Sequence, residues 1–165
     1  MKYAIVYSSK TGNTAQLAQT IRDTLPAGDC LYFGAPDPAA CAADLLFVGF
    51  WTDKGQADET LTAFLQALRD KRVFLFGTAG FGGSPAYFDK ILTQVQGSLD
   101  PSNTVVGRYM CQGKMPASVR ARYVTMAAQQ PEKWQPMIDN FDRALSHPDA
   151  ADLEGLRSEI SRLGQ

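Results

Sequence analysis

The stretch Ser9-Lys10-Thr11-Gly12-Asn13-Thr14 stands between an apolar run, Tyr3-Ala4-Ile5-Val6-Tyr7, and a helical pattern carried by Leu17, Ala18, Ile21 and Leu25. A strand that feeds a short hydroxyl-rich turn opening a helix gathers unpaired backbone N–H groups and the positive end of the helix dipole at one point. Such a point attracts an anion. The side chains of Ser9, Thr11, Asn13 and Thr14 add donors without adding charge, and Gly12 lets the backbone turn closely around an oxyanion. The spacing suits one terminal phosphate. It is not a P-loop, because Gly-x-x-x-x-Gly-Lys-Ser/Thr is absent and Lys10 sits inside the turn; nor is it the three-glycine dinucleotide fingerprint. Ser, Thr and Asn also cap helices, but a cap needs only one such residue, and five of the six here are of the turn-forming or hydroxyl-bearing kind.

Outward from the turn, apolar runs alternate with helical patterns. Residues 2–8 form a first strand, apolar enough to be buried on both faces as a central parallel strand is. A helix over about 13–25 stops before Pro26, and a short second strand takes 30–33. Residues 34–43, with Pro36 and Pro38 early and alanines later, allow only a short helix or an irregular crossover. Apolar runs at 45–50 and 73–76 flank a helix with Leu61, Phe64, Leu65 and Leu68 on one face. A further helix carries Phe88, Ile91, Leu92 and Val95, and a last strand covers 104 to about 110. Five strands with helices between them predict an α/β fold, a single doubly wound five-stranded parallel sheet in the order 2-1-3-4-5. Helical stretches follow at about 117–128, at 131–145 with Trp134, Met137, Ile138, Phe141 and Leu145 on one face, and at 149–163 with Leu153, Leu156, Ile160 and Leu163. One helix suffices to cover the sheet, so the last is expected as an extra C-terminal helix that packs on the domain or meets a partner, with packing the favoured reading. The chain is expected to be one domain over residues 1–165, with a core of about 1–147 and a helical extension of about 148–165.

Composition narrows the function. The 165 residues suffice for a core without disulfides or metals, and the interleaved charges sum to −1, which gives no nucleic-acid surface. No apolar run approaches the roughly 20 residues of a membrane span. Lys2 leads straight into the first strand without signal-peptide architecture, so a cytoplasmic location is expected. Cys30, Cys41 and Cys111 are widely spaced and supply neither a zinc pair nor a Cys-x-x-Cys motif, and they read as reduced thiols. His147, the single histidine, sits at a helix end before Pro148 and reads as a terminal residue rather than a catalytic base.

In a sheet of this order ligands bind beyond the carboxyl ends of the strands, where the order reverses. Three loops should therefore face one crevice: the turn itself, Trp51-Thr52-Asp53-Lys54-Gly55-Gln56-Ala57-Asp58, and Gly77-Thr78-Ala79-Gly80-Phe81-Gly82-Gly83-Ser84-Pro85. The loop Cys111-Gln112-Gly113-Lys114-Met115-Pro116 ends at the same edge and reads as a wall of the crevice, a docking surface or a plain connection.

The turn at 9–14, directly after the first strand, resembles the Thr/Ser-x-Thr-Gly-x-Thr phosphate loop of flavodoxins, and the order of elements is similar to that family as far as about residue 112. The resemblance implies FMN as cofactor, its phosphate held by Ser9, Lys10, Thr11, Gly12, Asn13 and Thr14. It implies that Trp51 covers one face of the flavin ring, with Phe81 or Tyr87 on the other. It implies Thr52, Thr78, Ala79, Gly80 and Gly82 as further cofactor-binding residues, with Gly77, Gly80, Gly82 and Gly83 letting backbone groups approach the pyrimidine end of the ring. Flavodoxins hold the flavin N5 through a backbone group that reorients on reduction, and Gly55 is the expected counterpart. Lys54 departs from the acidic surroundings usual in the family, with Asp53 and Asp58 beside it as offsets. The near-neutral chain also departs from the acidity that steers many flavodoxins to basic partners, so weaker steering is expected.

The implied function is electron transfer from a cytoplasmic reductase to an acceptor protein by a monomer that acts without catalytic acid, base or metal. Two alternatives stand beside it. One is a small FMN-dependent NAD(P)H oxidoreductase acting on a quinone or nitro compound, and the other a flavodoxin-fold binding module without flavin.

Overall fold

The computed structural model describes residues 1–82 and 84–164 of the chain. Its strands are β1 (Tyr3–Tyr7), β2 (Cys30–Gly34), β3 (Leu45–Asp53), β4 (Gln56–Ala57), β5 (Arg72–Ala79) and β6 (Thr104–Gln112). Its helices are α1 (Asn13–Thr24), α2 (Glu59–Ala67), α3 (Pro85–Gln96), α4 (Ala117–Ala127), α5 (Pro131–Ala144) and α6 (Ala150–Ser161). The long strands are parallel and lie in the order β2-β1-β3-β5-β6, which is the expected doubly wound order once β4 is set aside.

Side chains alternate across each strand, so the two sheet faces carry separate cores. On one, Val6, Val48, Phe50 and Leu75 meet Leu61 and Leu65 of α2 and Ile91 and Val95 of α3. On the other, Ile5, Phe47, Phe74 and Phe76 meet Leu17 and Ile21 of α1 and Leu156 and Ile160 of α6. Phe47, Phe50, Phe74 and Phe76 are fully buried, each contributing about 1.5–3 kcal/mol of transfer free energy. The continuous apolar runs of the sequence are therefore two-faced strands, as the pattern predicted.

Two departures matter for the site. Residues 51–58, read as a loop, form a hairpin: β3 continues to Asp53, turns at Lys54 (φ 54°) and Gly55 (φ 81°), and returns as β4, pairing Asp53 with Gln56. Two successive left-handed residues make the turn whose twist matches antiparallel strands. The second departure concerns the helices. Leu156 and Ile160 belong to the core and α6 lies against α1, so the last helix completes a sheet layer. The extra elements are instead α4 and α5, which pack on each other between the last strand and that helix. No helix among the described residues is long and apolar enough to cross a membrane.

Candidate functional site

Beyond the carboxyl ends of β1, β3 and β5 lies a cleft of about 320 Å³, within the size range of small-ligand sites. It is lined by Lys10, Thr11 and Asn13 of the turn, Trp51, Thr52 and Asp53 of β3, and Thr78, Ala79, Gly80 and Phe81 after β5. Three stretches far apart in sequence thus meet where the strand order reverses. Gly113, Lys114, Met115 and Pro116 form a further wall, so the 111–116 loop borders the cleft. Val119, Arg122 and Tyr123 of α4 complete it, and these three went unnoticed in the sequence. Their i, i+3, i+4 spacing marks one helix face, but nothing local says that this face turns toward the strand ends.

The turn divides its labour between fold and ligand. Gly12 takes φ 89° at the N-terminal boundary of α1, a conformation that a side chain would strain. The Ser9 hydroxyl accepts from the Ala15 N–H at 3.2 Å and so serves as a helix cap. Asn13 donates through Nδ2 to the Lys114 carbonyl at 2.8 Å and to the Thr11 hydroxyl at 2.9 Å, tying the turn to the 111–116 wall. Gly113 makes that approach feasible, since a Cβ there would lie 2.4 Å from Asn13 Nδ2. Thr14 is fully buried, donates to the Phe50 carbonyl at 3.0 Å and meets the Thr78 hydroxyl at 3.1 Å. Its hydroxyl therefore braces α1 against β3 and β5. What remains at the open side are the backbone amides of Asn13 and Thr14, which find no acceptor among the described residues, beside Thr11, whose hydroxyl donates to the Lys114 carbonyl at 3.4 Å. Unpaired amides at a helix N-terminus suit an anion without any side-chain charge.

The remaining predicted residues separate. Trp51 lines the cleft with Lys10 Nζ 5.1 Å from its ring centre, and Thr52 donates to the Thr78 carbonyl at 2.9 Å. Phe81 lines the cleft and is 38% exposed. Gly55 and Tyr87 line a different groove of about 380 Å³, together with Lys54 and Lys90. The hairpin carries Gly55 and Lys54 off the cleft, so the cations that border it are Lys10, Lys114 and Arg122. A Cβ at Gly82 would crowd Phe88 at 3.0 Å and Gln112 at 3.1 Å, and Gly83 lies outside the described residues. Gly77 is a strand residue opposite Phe50, whose ring lies 2.4 Å from where its Cβ would be, so its smallness serves the core instead of a ligand. Gly80 admits the Met115 side chain at 2.5 Å from its would-be Cβ.

The Gly80 peptide is held firmly. Its carbonyl accepts from Gln112 Nε2 at 3.0 Å and from Asn140 Nδ2 at 3.1 Å, and the two amides are themselves joined at 3.1 Å. Asn140 is buried on α5, so the added helix pair reaches through to the cleft loop. No metal-ligand cluster borders the cleft among the described residues. The one group of three, His147, Asp149 and Asp152, lies at the start of α6, where Asp149 and Asp152 exchange capping hydrogen bonds and His147 Nδ1 meets Asp152 at 2.6 Å.

Fold and site define a doubly wound α/β protein with an amide-lined turn opening onto a cleft bordered by Trp51, Phe81 and Tyr123. The chain belongs to the flavodoxin family: the family described as "Flavodoxin domain" matches residues 4–161. The flavodoxin-like domain-containing protein BilS of Clostridium symbiosum is 41% identical over 172 residues, spanning 93% of this chain and 90% of that protein. Among solved structures, oxidised Flavodoxin 2 from Bacillus cereus shares the fold at TM-score 0.63 and 17% identity, covering 99% of this chain and 98% of that one. A flavoprotein in complex with FMN from Lactobacillus acidophilus is similar at TM-score 0.50 and 16% identity, covering 66% of this chain and 92% of that one.

Proposed function

We propose that the chain binds FMN in this cleft and carries electrons between a reductase and an acceptor protein in the cytoplasm, as a monomer. The observation that carries the reading is the meeting of the unpaired amides at the start of α1 with Trp51 and Phe81 around one cleft. The residues fit such a ligand: amides and Thr11 for a terminal phosphate, an indole for a flat ring, and the firmly held loop at Gly80 for a polar edge. Bound FMN supplies the redox chemistry, taking up electrons singly or in pairs. The chain's part is to bind, orient and shield. Asn13 keeps the turn and the 111–116 wall together, while Val119 and Tyr123 of α4 cover the cleft from the side.

The test is a visible absorption titration of the purified protein with FMN, followed by stepwise anaerobic reduction. Bound FMN reduced in two resolved one-electron stages supports the carrier. Reduction in a single two-electron stage, with oxidation of NAD(P)H and a dimer in solution, would replace it with the oxidoreductase. Thr11→Ala should weaken FMN binding while leaving riboflavin binding nearly unchanged, and equal loss of both would remove the phosphate from the turn.

A further inference from the structure

Lys10, Lys114 and Arg122 stand around the cleft, and none of them forms an ion pair among the described residues. Asp53 is the one carboxylate among the residues lining it. On a chain whose net charge is −1, this is a local reversal of sign. The three cations come from the turn, the 111–116 wall and α4, so the fold alone assembles them.

Apolar surface lies beside the charge. Met126 follows Arg122 by one helical turn on α4 and is 41% exposed, and Phe81 across the cleft is exposed as well. Helix α4 buries no residue fully; it is fastened to α5 by the stacked rings of Tyr123 and Trp134, 5.7 Å apart, and by the two hydrogen bonds of Arg120 to Asp142. Ordering eleven helical residues costs conformational entropy that this slight burial returns poorly. Exposed apolar side chains beside charges of one sign match a protein interface whose encounter is steered electrostatically.

We infer that this face docks an acidic redox protein, whose carboxylates meet Lys114 and Arg122 while its apolar side chains meet Phe81 and Met126. The inference rests on the proposal that the cleft holds a flavin. One electron leaves the reduced flavin and reduces the partner's centre by one, with no bond made or broken between the proteins. The polarity is opposite to that expected for an acidic carrier with basic partners.

Two haem proteins of opposite charge serve as probes: cytochrome b5, which is acidic, and cytochrome c, which is basic. The FMN-loaded chain is reduced photochemically and mixed with each ferric protein in a stopped-flow instrument at rising ionic strength. The rate to cytochrome b5 should fall about tenfold as salt screens the attraction, and the rate to cytochrome c should rise. The double variant K114E/R122E should reverse both trends. A wild-type rate to cytochrome b5 that rises with salt, or stays flat, would overturn the inference without any variant. Titration calorimetry of the flavin-free chain with ferric cytochrome b5 separates the two proposals. Salt-sensitive binding lost in K114E/R122E supports the docking face even where no flavin is retained, and no binding at low salt would overturn it even where flavin is held.

Discussion

Gly49 and Gly77 sit in the middle of the sheet, where a phenylalanine across the ladder lies over each: Phe76 is the register partner of Gly49, and Phe50 that of Gly77. A Cβ at Gly77 would lie 2.4 Å from the Phe50 ring, and one at Gly49 would lie 2.3 Å from the Phe76 ring. Gly77→Ala therefore overpacks a fully buried aromatic and should cost about 1–3 kcal/mol, read from the denaturant midpoint at unchanged slope. Loss of FMN affinity without loss of stability would return Gly77 to the ligand role that its place in the sequence suggested. Its real use was not legible there, because it depends on which residue faces it on the neighbouring strand. The turn at 9–14 was legible, since strand, turn and helix are consecutive. The direction of the Thr14 hydroxyl was not, because the Phe50 carbonyl that receives it comes from another strand. Cysteine reactivity is a residue property of the same kind. Cys111 is buried, and burial pushes its thiol well above the ordinary range, whereas Cys41 is exposed. Iodoacetamide at neutral pH should label Cys41 in the folded protein and Cys111 only on unfolding, as peptide mass mapping would read.

At the scale of elements, the added helix pair and the last helix exchange the roles that the sequence suggested. The stretches at 131–145 and 149–163 each carry an apolar stripe, and such a stripe says that a face is buried but not against what. The contact that decides is Asn140, whose side-chain amide reaches the Gly80 carbonyl from α5. Asn140→Ala removes a buried donor and leaves Gln112 alone on that carbonyl. The expected cost is about 1–2 kcal/mol, with faster amide hydrogen exchange in the 79–82 loop. Unchanged exchange there would mean that the helix pair does not support the cleft. The start of α6 carries a pH dependence. Asp149 accepts the Asp152 N–H, and this bond, helped by His147, holds its carboxyl below the usual carboxylate range. A depressed native pKa contributes stability that is present above the ordinary carboxylate value and is lost as pH falls through the lowered one. Protection factors along α6, which take out the intrinsic slowing of exchange in acid, should fall across that window. Asp149→Asn, which still caps, should flatten the dependence. The β4 hairpin escaped the sequence for a different reason: its turn places Lys54 in the left-handed region, where glycine or asparagine is the usual signal.

At the scale of the molecule, the cleft joins segments from the first turn to the fourth helix, so any ligand that bridges them must stabilise the whole fold by mass action. This scale was the least legible in the sequence. A net charge of −1 conceals the excess of cations at the cleft, because Lys10, Lys114 and Arg122 become neighbours only after folding. FMN at about one hundred times its dissociation constant should stabilise the chain by about 2.7 kcal/mol. For a protein of this size each kcal/mol raises the thermal midpoint by about 2–4 °C, so the shift is several degrees. Riboflavin has the same ring and no phosphate. At equal concentration it should give a clearly smaller shift, because it leaves the amides at the start of α1 without their anion. Added salt should narrow the gap only slightly, since the donors at the turn are dipoles close to the phosphate and such short contacts are little screened. A gap that collapses with salt would place the phosphate instead on the exposed ammonium of Lys10 or Lys114. Equal shifts at low salt would mean that the turn caps a helix and nothing more.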